Sequence, residues 1–381
     1  ADEHLDPYDV LDVLTRPVDK SLVHLDDSTG RLVCEAGLLL RDIQRLVIPR
    51  GWILPITPGT QLVTVGGAIA NDVHGKNHHR RGTFGRHVRR FGLCRSDAGR
   101  LTCSPEQEPL LFAATIGGLG LTGVIEWAEI QLMPIRSSRL EVVTQRFGNL
   151  DEFFALSAEL DARHEFGVAW IDCVASGRQA GRGVYVAGDF ANDAGLAVEE
   201  GRTVAVPVTP PFSLVNAASL RLFNALYWHR APAARRHSVS GYAPFFYPLD
   251  GVRQWNRLYG RRGFQQYQAL LPMAVAHDGV QALLEAIAAS GMGSFLAVLK
   301  RCGELPSPGL LSFPRPGITL ALDFPQCDAL AGALFPRLDA IVREAGGRLY
   351  PAKDAHMSGD DFRHAYPAWT QLETLRDPAL L

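Results

Sequence analysis

The residue pattern implies an α+β fold in two domains, and three observations carry that inference. Glycine clusters and short β-branched runs are concentrated before about Ile135. From roughly Arg139 to Gly347, amphipathic helical patterns alternate with strand-like runs. The chain has 381 residues and is 47% hydrophobic, enough to bury two separate cores. Boundaries are expected near residues 138 and 348.

The first glycine cluster lies in TPGTQLVTVGGAIANDVHGKNHH, Thr57 to His79. Pro58-Gly59 reads as a tight turn, with proline presetting φ and Gly59 supplying φ > 0. Gly66 and Gly67 follow the β-branched run Val63-Thr64-Val65. With no side chain in the way, peptide amides there can approach an anionic ligand. The second cluster is TIGGLGLTGVIEWAEIQL, Thr115 to Leu132. Gly118-x-Gly120-x-x-Gly123 matches the dinucleotide fingerprint in letters, but that loop needs a strand before it and a helix after. Here PLLFAAT precedes it with a helical pattern, and Ala128, Ile130 and Leu132 then alternate with Glu129 and Gln131 like a strand. A classical NAD fold is therefore disfavoured. HGKN is not a Walker loop either: Ala70 occupies the first glycine position, and Asn77 replaces Ser/Thr.

Beyond Arg139, NLDEFFALSAELDA and VQALLEAIAAS read as amphipathic helices. SFLAVLK and ITLALDF read as strands, with the turn-rich LPSPGLLSFPRPG between them. The stretch from Gly188 to Tyr247 is less regular. Leu214, Leu220, Leu222, Phe223, Leu226 and Trp228 make it apolar, and Arg230, Arg235 and Arg236 follow. It reads as a covering helix and a solvated basic loop; the sharper alternative is a lid admitting a phosphorylated lipid near a membrane surface.

A net charge of -2 argues against a dedicated nucleic-acid partner. The local basic stretch Lys76, Arg80, Arg81, Arg86, Arg89 and Arg90 adjoins the glycine loop and can attract phosphates. Six scattered cysteines without C-x-x-C suggest free thiols in a reducing compartment, hence the cytoplasm. No apolar run is long enough to span a membrane, and no signal pattern begins at Ala1. The absence of G-x-S-x-G removes the usual support for a serine hydrolase. His74, His78 and His79 invite a metal, but Gly75 weakens the helix H-x-x-x-H would need and the H-E-x-x-H glutamate is missing. No metal is expected.

The order TPGT, VTVGGAIA, DVHGKNHH, GTFGRHV and GGLGLTGVI resembles the FAD-binding oxidases of the vanillyl-alcohol-oxidase superfamily, whose cofactor domain is of the PCMH type. The likeness continues through WNRLYG, GFQQYQ, SFLAVLKR, LSFP, LDFP and GGRLYPAKD, nearly the whole chain. It is nearest to the branch that oxidises the 2′-hydroxyl of a polyprenyl-phosphate pentose.

The resemblance implies an FAD domain of two small α/β subdomains at 1–138 and a substrate domain at 139–348, an antiparallel sheet covered by helices. Residues 349–381 would return to the flavin. FAD would be bound non-covalently, with Gly59, Thr60, Thr64, Val65, Gly66, Gly67, His74, Gly123, Ile125 and Tyr350 at cofactor positions. Lys353 in YPAKD is the first catalytic candidate: an ammonium near a reduced flavin stabilises its negative charge, and a desolvated lysine can serve as base. His74 is the second, hydrogen-bonding flavin or substrate with Lys76 beside it. Gln266 and Gln268, two apart on a strand, would share one face. They match substrate-pocket positions, as do Trp170, Lys300 and Thr319; the alternative for Trp170 is a core aromatic.

The implied activity passes a hydride from a secondary alcohol of a sugar or lipid-linked sugar to flavin N5. An NAD-dependent partner reductase and peripheral contact with the inner face of the membrane would go with it. The alternatives are an alditol or aldonolactone oxidase, or a flavin-free remnant that binds a lipid-phosphate sugar. Three features depart from the family pattern. An early R-G-x-G-R-S-Y-G-like loop is missing upstream of DVLDVLTRPVDKSL, so the chain is expected either to be shortened or to be only part of the native protein. RDPALL stops before a basic tail. Thr319, Ala321 and Phe246 stand where asparagine, cysteine and tyrosine are usual.

Overall fold

The structure is a computed structural model that describes residues 23–198, 203–354 and 356–380. DVLDVLTRPVDKSL, residues 9–22, lies outside the described residues.

The first hairpin is closed by Asp26, whose carboxylate accepts from the Ser28 and Thr29 amides and hydroxyls while Gly30 takes φ +67°. That turn joins β1 (Val23–Asp26) to β2 (Arg31–Glu35). Next come α1 (Leu40–Val47), α2 (Val65–Ala70) and α3 (His78–Arg81). They are followed by β3 (Val88–Arg95), β4 (Gly99–Cys103), α4 (Pro109–Thr115) and β5 (Val124–Gln131). These strands form an antiparallel sheet in the order β1-β2-β5-β3-β4. Alternate residues Leu32, Cys34, Ala128 and Ile130 face a core shared with Ile43 and Val47 of α1 and Phe112 of α4. Each such fully buried Leu, Ile or Phe contributes roughly 1.5–3 kcal/mol.

The second unit contains β6 (Arg139–Phe147), α5 (Leu150–Asp161), β7 (Phe166–Ile171), β8 (Gly183–Phe190), α6 (Ala217–Arg230) and β9 (Arg236–Gly241). It continues through β10 (Phe264–Pro272), α7 (Ala276–Ser290), β11 (Val298–Cys302), β12 (Gly317–Pro325), α8 (Phe335–Glu344) and β13 (Arg348–Leu349). The eight strands run in the order β9-β6-β8-β7-β11-β12-β10-β13, every pair antiparallel. One face is covered: Tyr267, Ala269, Leu271, Leu299, Leu320 and Leu322 pack with Leu283 and Ile287 of α7 and Phe335 and Leu338 of α8. This α+β architecture is the expected one.

Among the contacts that join the two units, the span from Asp72 to Arg81 bears directly on the site. Gly167 N donates to Lys76 O at 2.9 Å, Asn77 Nδ2 donates to Glu165 Oε1 at 3.1 Å, and Arg81 pairs with Glu165 at 2.8 Å. Gly303 N donates to His78 Nδ1 at 3.1 Å. Buried Asp72, at φ +40°, accepts from Gly85 N and from the Ser307 and Ser312 hydroxyls. The C-terminal segment packs back on the first unit, where the Asp377 carboxylate accepts from Ser96 N and Arg95 Nη1 donates to Leu375 O.

VGGAIA forms helix α2, which the Thr64 hydroxyl caps by accepting from Gly67 N at 3.1 Å. Three local expectations are corrected. Gly59 does not adopt positive φ. The basic stretch is not a free phosphate collector: Arg80 donates to Ala162 O, Arg86 to Pro306 O, and Arg90 pairs with Glu129. Arg236 belongs to edge strand β9 instead of a solvated loop, and Arg235 pairs with Glu159.

Gly183 in β8 tests how closely the large sheet is packed. A Cβ there would lie 2.2 Å from Trp170 O and 2.5 Å from a Phe147 ring carbon. Gly183→Ala is expected to lose about 1–3 kcal/mol of stability, read as a lowered denaturant midpoint.

Candidate active site

The open face of the large sheet forms a floor. Register aligns Trp170, Val298, Ala321 and Gln268 across β7, β11, β12 and β10. Side-chain alternation puts Gln266, Gln268, Lys300, Thr319 and Asp323 on this same face, opposite the helix-packed core. Gln268 Nε2 lies 3.1 Å from Thr319 Oγ1, and Gln266 Nε2 donates to Asp323 Oδ1 at 2.8 Å. The two glutamines thus share a face, as their spacing implies. Trp170 is half-buried on the floor and stands outside the covered core; its Nε1 donates to Phe295 O at 2.8 Å.

His74 reaches this floor from the first unit, held by a bridge to Thr83. Lys300 Nζ lies 2.5 Å from His74 Nδ1 and donates to Gly75 O at 2.6 Å. Gln268 Nε2 lies 3.1 Å from His74 Nε2. A neutral imidazole has one acceptor nitrogen. The consistent assignment is Nδ1 accepting from the Lys300 ammonium and Nε2–H donating to the Gln268 amide oxygen, with that amide turned over. Phe313 and Tyr350 stack at 4.5 Å and flank the His74 ring at 5.8 and 5.7 Å. Tyr350 N donates to Gln268 O, and its hydroxyl donates to Asn71 O at the end of α2. Lys353 Nζ donates to Gln266 Oε1 at 3.1 Å, and Asp354 accepts from Gln266 N. Lys76 donates to Phe245 O and lies 4.7 Å over the Phe245 ring.

The chain has 38 Lys and Arg together but only four lysines: Lys20, Lys76, Lys300 and Lys353. Three of them gather around His74. Burial, then the charges of Lys300, His78 and Lys353, hold the His74 imidazole well below its ordinary value, so it is neutral at physiological pH. Burial pushes Lys300 down to about 8, and burial with the Lys300 charge pushes Lys76 down to about 7. Lys353 is also lowered by burial, against the opposing pull of Asp323 and Asp354. Asp323 is raised to about 6 by burial.

The other expected positions lie along α2 and β5. Gly66 N donates to Ala36 O and Gly67 N to Thr64 Oγ1, so neither amide points at an anion, contrary to expectation. Glycine at 66 instead permits close approach, since a Cβ would lie 3.2 Å from Ala36 Cβ. Val65 N likewise donates to Leu38 O. Ala36 N donates to Glu126 O, so the α2 segment and the β5 segment that begins after Gly123 flank the same residue. Ile125 is half-buried in β5, Thr60 Oγ1 accepts from Leu62 N, and Gly59 is exposed. Sequence reasoning missed Phe313, Asp323 and Asp354 as neighbours of these groups. Among the described residues, no three His, Cys, Asp or Glu side chains are grouped as metal ligands.

The donor set suits an anionic redox nucleotide: the ammonium group of buried Lys300 and those of the partly buried Lys76 and Lys353. There is also open room beside α2, where a Cβ on Gly37 or Gly59 would meet nothing within 4 Å. Residues 9–104 match the FAD binding domain family. With the α+β fold, this defines an FAD-dependent oxidoreductase with a PCMH-type cofactor domain.

Decaprenylphosphoryl-β-D-ribose oxidase of Mycolicibacterium smegmatis is 34% identical over 373 residues, covering 93% of this chain and 80% of that protein. The uncharacterized protein in the mprA 5′ region of Streptomyces coelicolor is 34% identical over 358 residues, 89% of this chain and 95% of that one. Cytokinin dehydrogenase 10 of Oryza sativa subsp. japonica is 32% identical over 112 residues, 29% of this chain and 20% of its own. The chain belongs to the family of FAD-binding oxidases that includes decaprenylphosphoryl-β-D-ribose oxidase. No helix among the described residues is long and apolar enough to cross a membrane.

The lowered lysines make stability depend on pH with a definite sign. Between pH 7 and about 10 the unfolded chain binds more protons at Lys76 and Lys300 than the folded one, so stability rises with pH there. Apoprotein melts are expected to climb from pH 6.5 to 8.5. Lys300→Met should flatten the climb; an unchanged slope would place the Lys300 proton elsewhere.

Proposed function

We propose that the protein oxidises the 2′-hydroxyl of a polyprenyl-phosphate pentose to the ketone. The observation that carries this reading is the gathering of three of the chain's four lysines around His74 on the Gln268 floor. Support for the substrate class comes from the 34% identity to an oxidase named for a decaprenylphosphoryl ribose. In this reading residues 1–138 hold the cofactor, 139–348 hold the sugar, and 349–381 bring Tyr350 and Lys353 back to it.

FAD, when bound, accepts the hydride that leaves the alcohol carbon. Gly59, Thr60, Thr64, Gly123, Ile125 and Tyr350 would border it. Gln266, Gln268, Thr319 and Trp170 offer amide, hydroxyl and indole surfaces on which a sugar can be oriented. Both ring nitrogens of His74 are engaged within the site, which leaves it a positioning role toward Lys300 and Gln268. Lys353 donates one hydrogen bond, to Gln266 Oε1, and has further N–H groups to offer. Its lowered basicity allows a neutral amine to take the hydroxyl proton, and the resulting ammonium would stabilise negative charge on a reduced flavin held beside it. Lys76 and Lys300 add to the cationic field. The lipid-linked substrate would bring the enzyme to a membrane surface, and an NAD-dependent reductase would complete an epimerisation by reducing the ketone.

Anaerobic flavin reduction tests this. Lys353→Ala is expected to keep its flavin absorbance and reduce roughly 10²–10³-fold more slowly with the lipid-linked pentose. Unchanged reduction would remove Lys353 from the reaction. A flavin reduced by alditols and not by the lipid-linked sugar would overturn the substrate.

A further inference from the structure

Helix α6 is seated on Leu220, which is buried with Val215 and Tyr259, and on a polar anchor one turn further on. Asn224 is fully buried and donates to Asp172 Oδ1 at 2.8 Å, while Asp172 Oδ2 accepts from Arg182 Nε and Nη2. Trp228 Nε1 donates to Phe147 O at 2.9 Å, with the Arg146 and Arg182 guanidinium groups 4.6 and 4.9 Å from its ring. The other side carries Leu222 and Leu226, 64% and 57% exposed, beside Phe223 and Tyr227. A surface helix of a water-soluble domain ordinarily presents polar residues on its outer side. Here Leu220 and the Asn224 and Trp228 hydrogen bonds hold the packed side, and aliphatic and aromatic groups also face outward.

The exposure is local. Of fifteen exposed large hydrophobic side chains among the described residues, eight fall between Val204 and Tyr227. Charge in this region is one-sided as well. Residues 203–249 contain no Asp or Glu, although the chain has 40 of them, and they contain Arg221, Arg230, Arg235 and Arg236. Arg235 pairs with Glu159; Arg221, Arg230 and Arg236 are exposed. An apolar face on a segment that carries arginines and no acid of its own matches the interface of an anionic bilayer, which takes apolar groups into its acyl boundary and attracts cations.

The patch is continuous with the floor of the site. Tyr227 lies 4.6 Å from the Trp170 ring, and Phe223 lies 4.8 Å from the ring of Phe295, whose carbonyl holds the Trp170 indole. Trp170 is paired with Val298, two residues from Lys300. We propose that α6 and the segment leading into it dock on an anionic lipid bilayer, and that the substrate's prenyl chain passes along Phe223 and Tyr227 to Trp170. This rests on the lipid-linked substrate reading and adds the face by which that substrate is reached.

Flotation of the FAD-loaded enzyme with vesicles tests the proposal. Vesicles of equal parts phosphatidylglycerol and phosphatidylcholine are expected to carry the protein, more weakly at high salt, while pure phosphatidylcholine carries less. The double variant Leu222→Ser with Leu226→Ser should lose about tenfold or more of that partitioning. Its melting temperature and its flavin reduction by a short-chain, water-soluble polyprenyl-phosphate pentose should match wild type. Wild type that stays unbound, or a double variant that floats like wild type, overturns the docking face. So does capture by a partner protein in place of the vesicles. Failure of the short-chain substrate to reduce wild-type flavin would instead count against the substrate, whatever the vesicles show.

Discussion

Lys300 is buried, and Lys76 and Lys353 are partly buried, around a neutral histidine, each hydrogen-bonded to neutral groups. Removing an ammonium from water is costly unless protein groups replace its hydration. Lys300 has a carbonyl and an imidazole nitrogen, Lys76 a carbonyl and an aromatic face, and Lys353 an amide oxygen. None of these carries a negative charge. The depressed basicity of Lys76 and Lys300 is the direct result. A fold that keeps such groups sacrifices stability for a preorganised field acting on charge that develops during reaction.

The surrounding architecture holds this cluster in place. The span from Asp72 to Arg81 pins His74 and Lys76 against the large sheet through contacts to Gly167, Glu165 and Gly303. Phe313 and Tyr350 close one side, and Tyr350 also bonds to the end of α2. The glycines of the first unit serve mainly close approach. Gly66 lets α2 lie against Ala36, and Gly123 lets β5 start within reach of Cys94 O, 2.6 Å from where a Cβ would sit. Their amides were the natural guess for anion binding. The structure shows that volume, not donor direction, is what glycine supplies at 66 and 67.

Much of this could be read from residue patterns, for identifiable reasons. Period-two alternation placed Gln266 and Gln268 on one face, and the helix-then-strand context of Gly118 to Gly123 ruled out a Rossmann loop. Both are local signals. The failures are equally physical. Thr64 stays extended, as a β-branched residue favours, but its hydroxyl caps a helix that starts at Val65. The His74–Lys300 contact joins residues 226 apart, beyond any spacing argument. The inward anchor of α6 depends on Asp172, 52 residues from Asn224, so its apolar residues read as a covering face. One signal went unused: an arginine-rich chain that keeps lysine at only four positions marks sites where a tunable amine is wanted.

The most direct test of the buried cation cluster is the midpoint potential of the bound flavin. If the lysines exist to stabilise the reduced, anionic cofactor, removing one by Lys300→Met should lower that potential by on the order of tens of millivolts, where 30 mV is about 1.4 kcal/mol for a two-electron couple. Equal potentials in wild type and variant, with the flavin bound in both, would contradict the account.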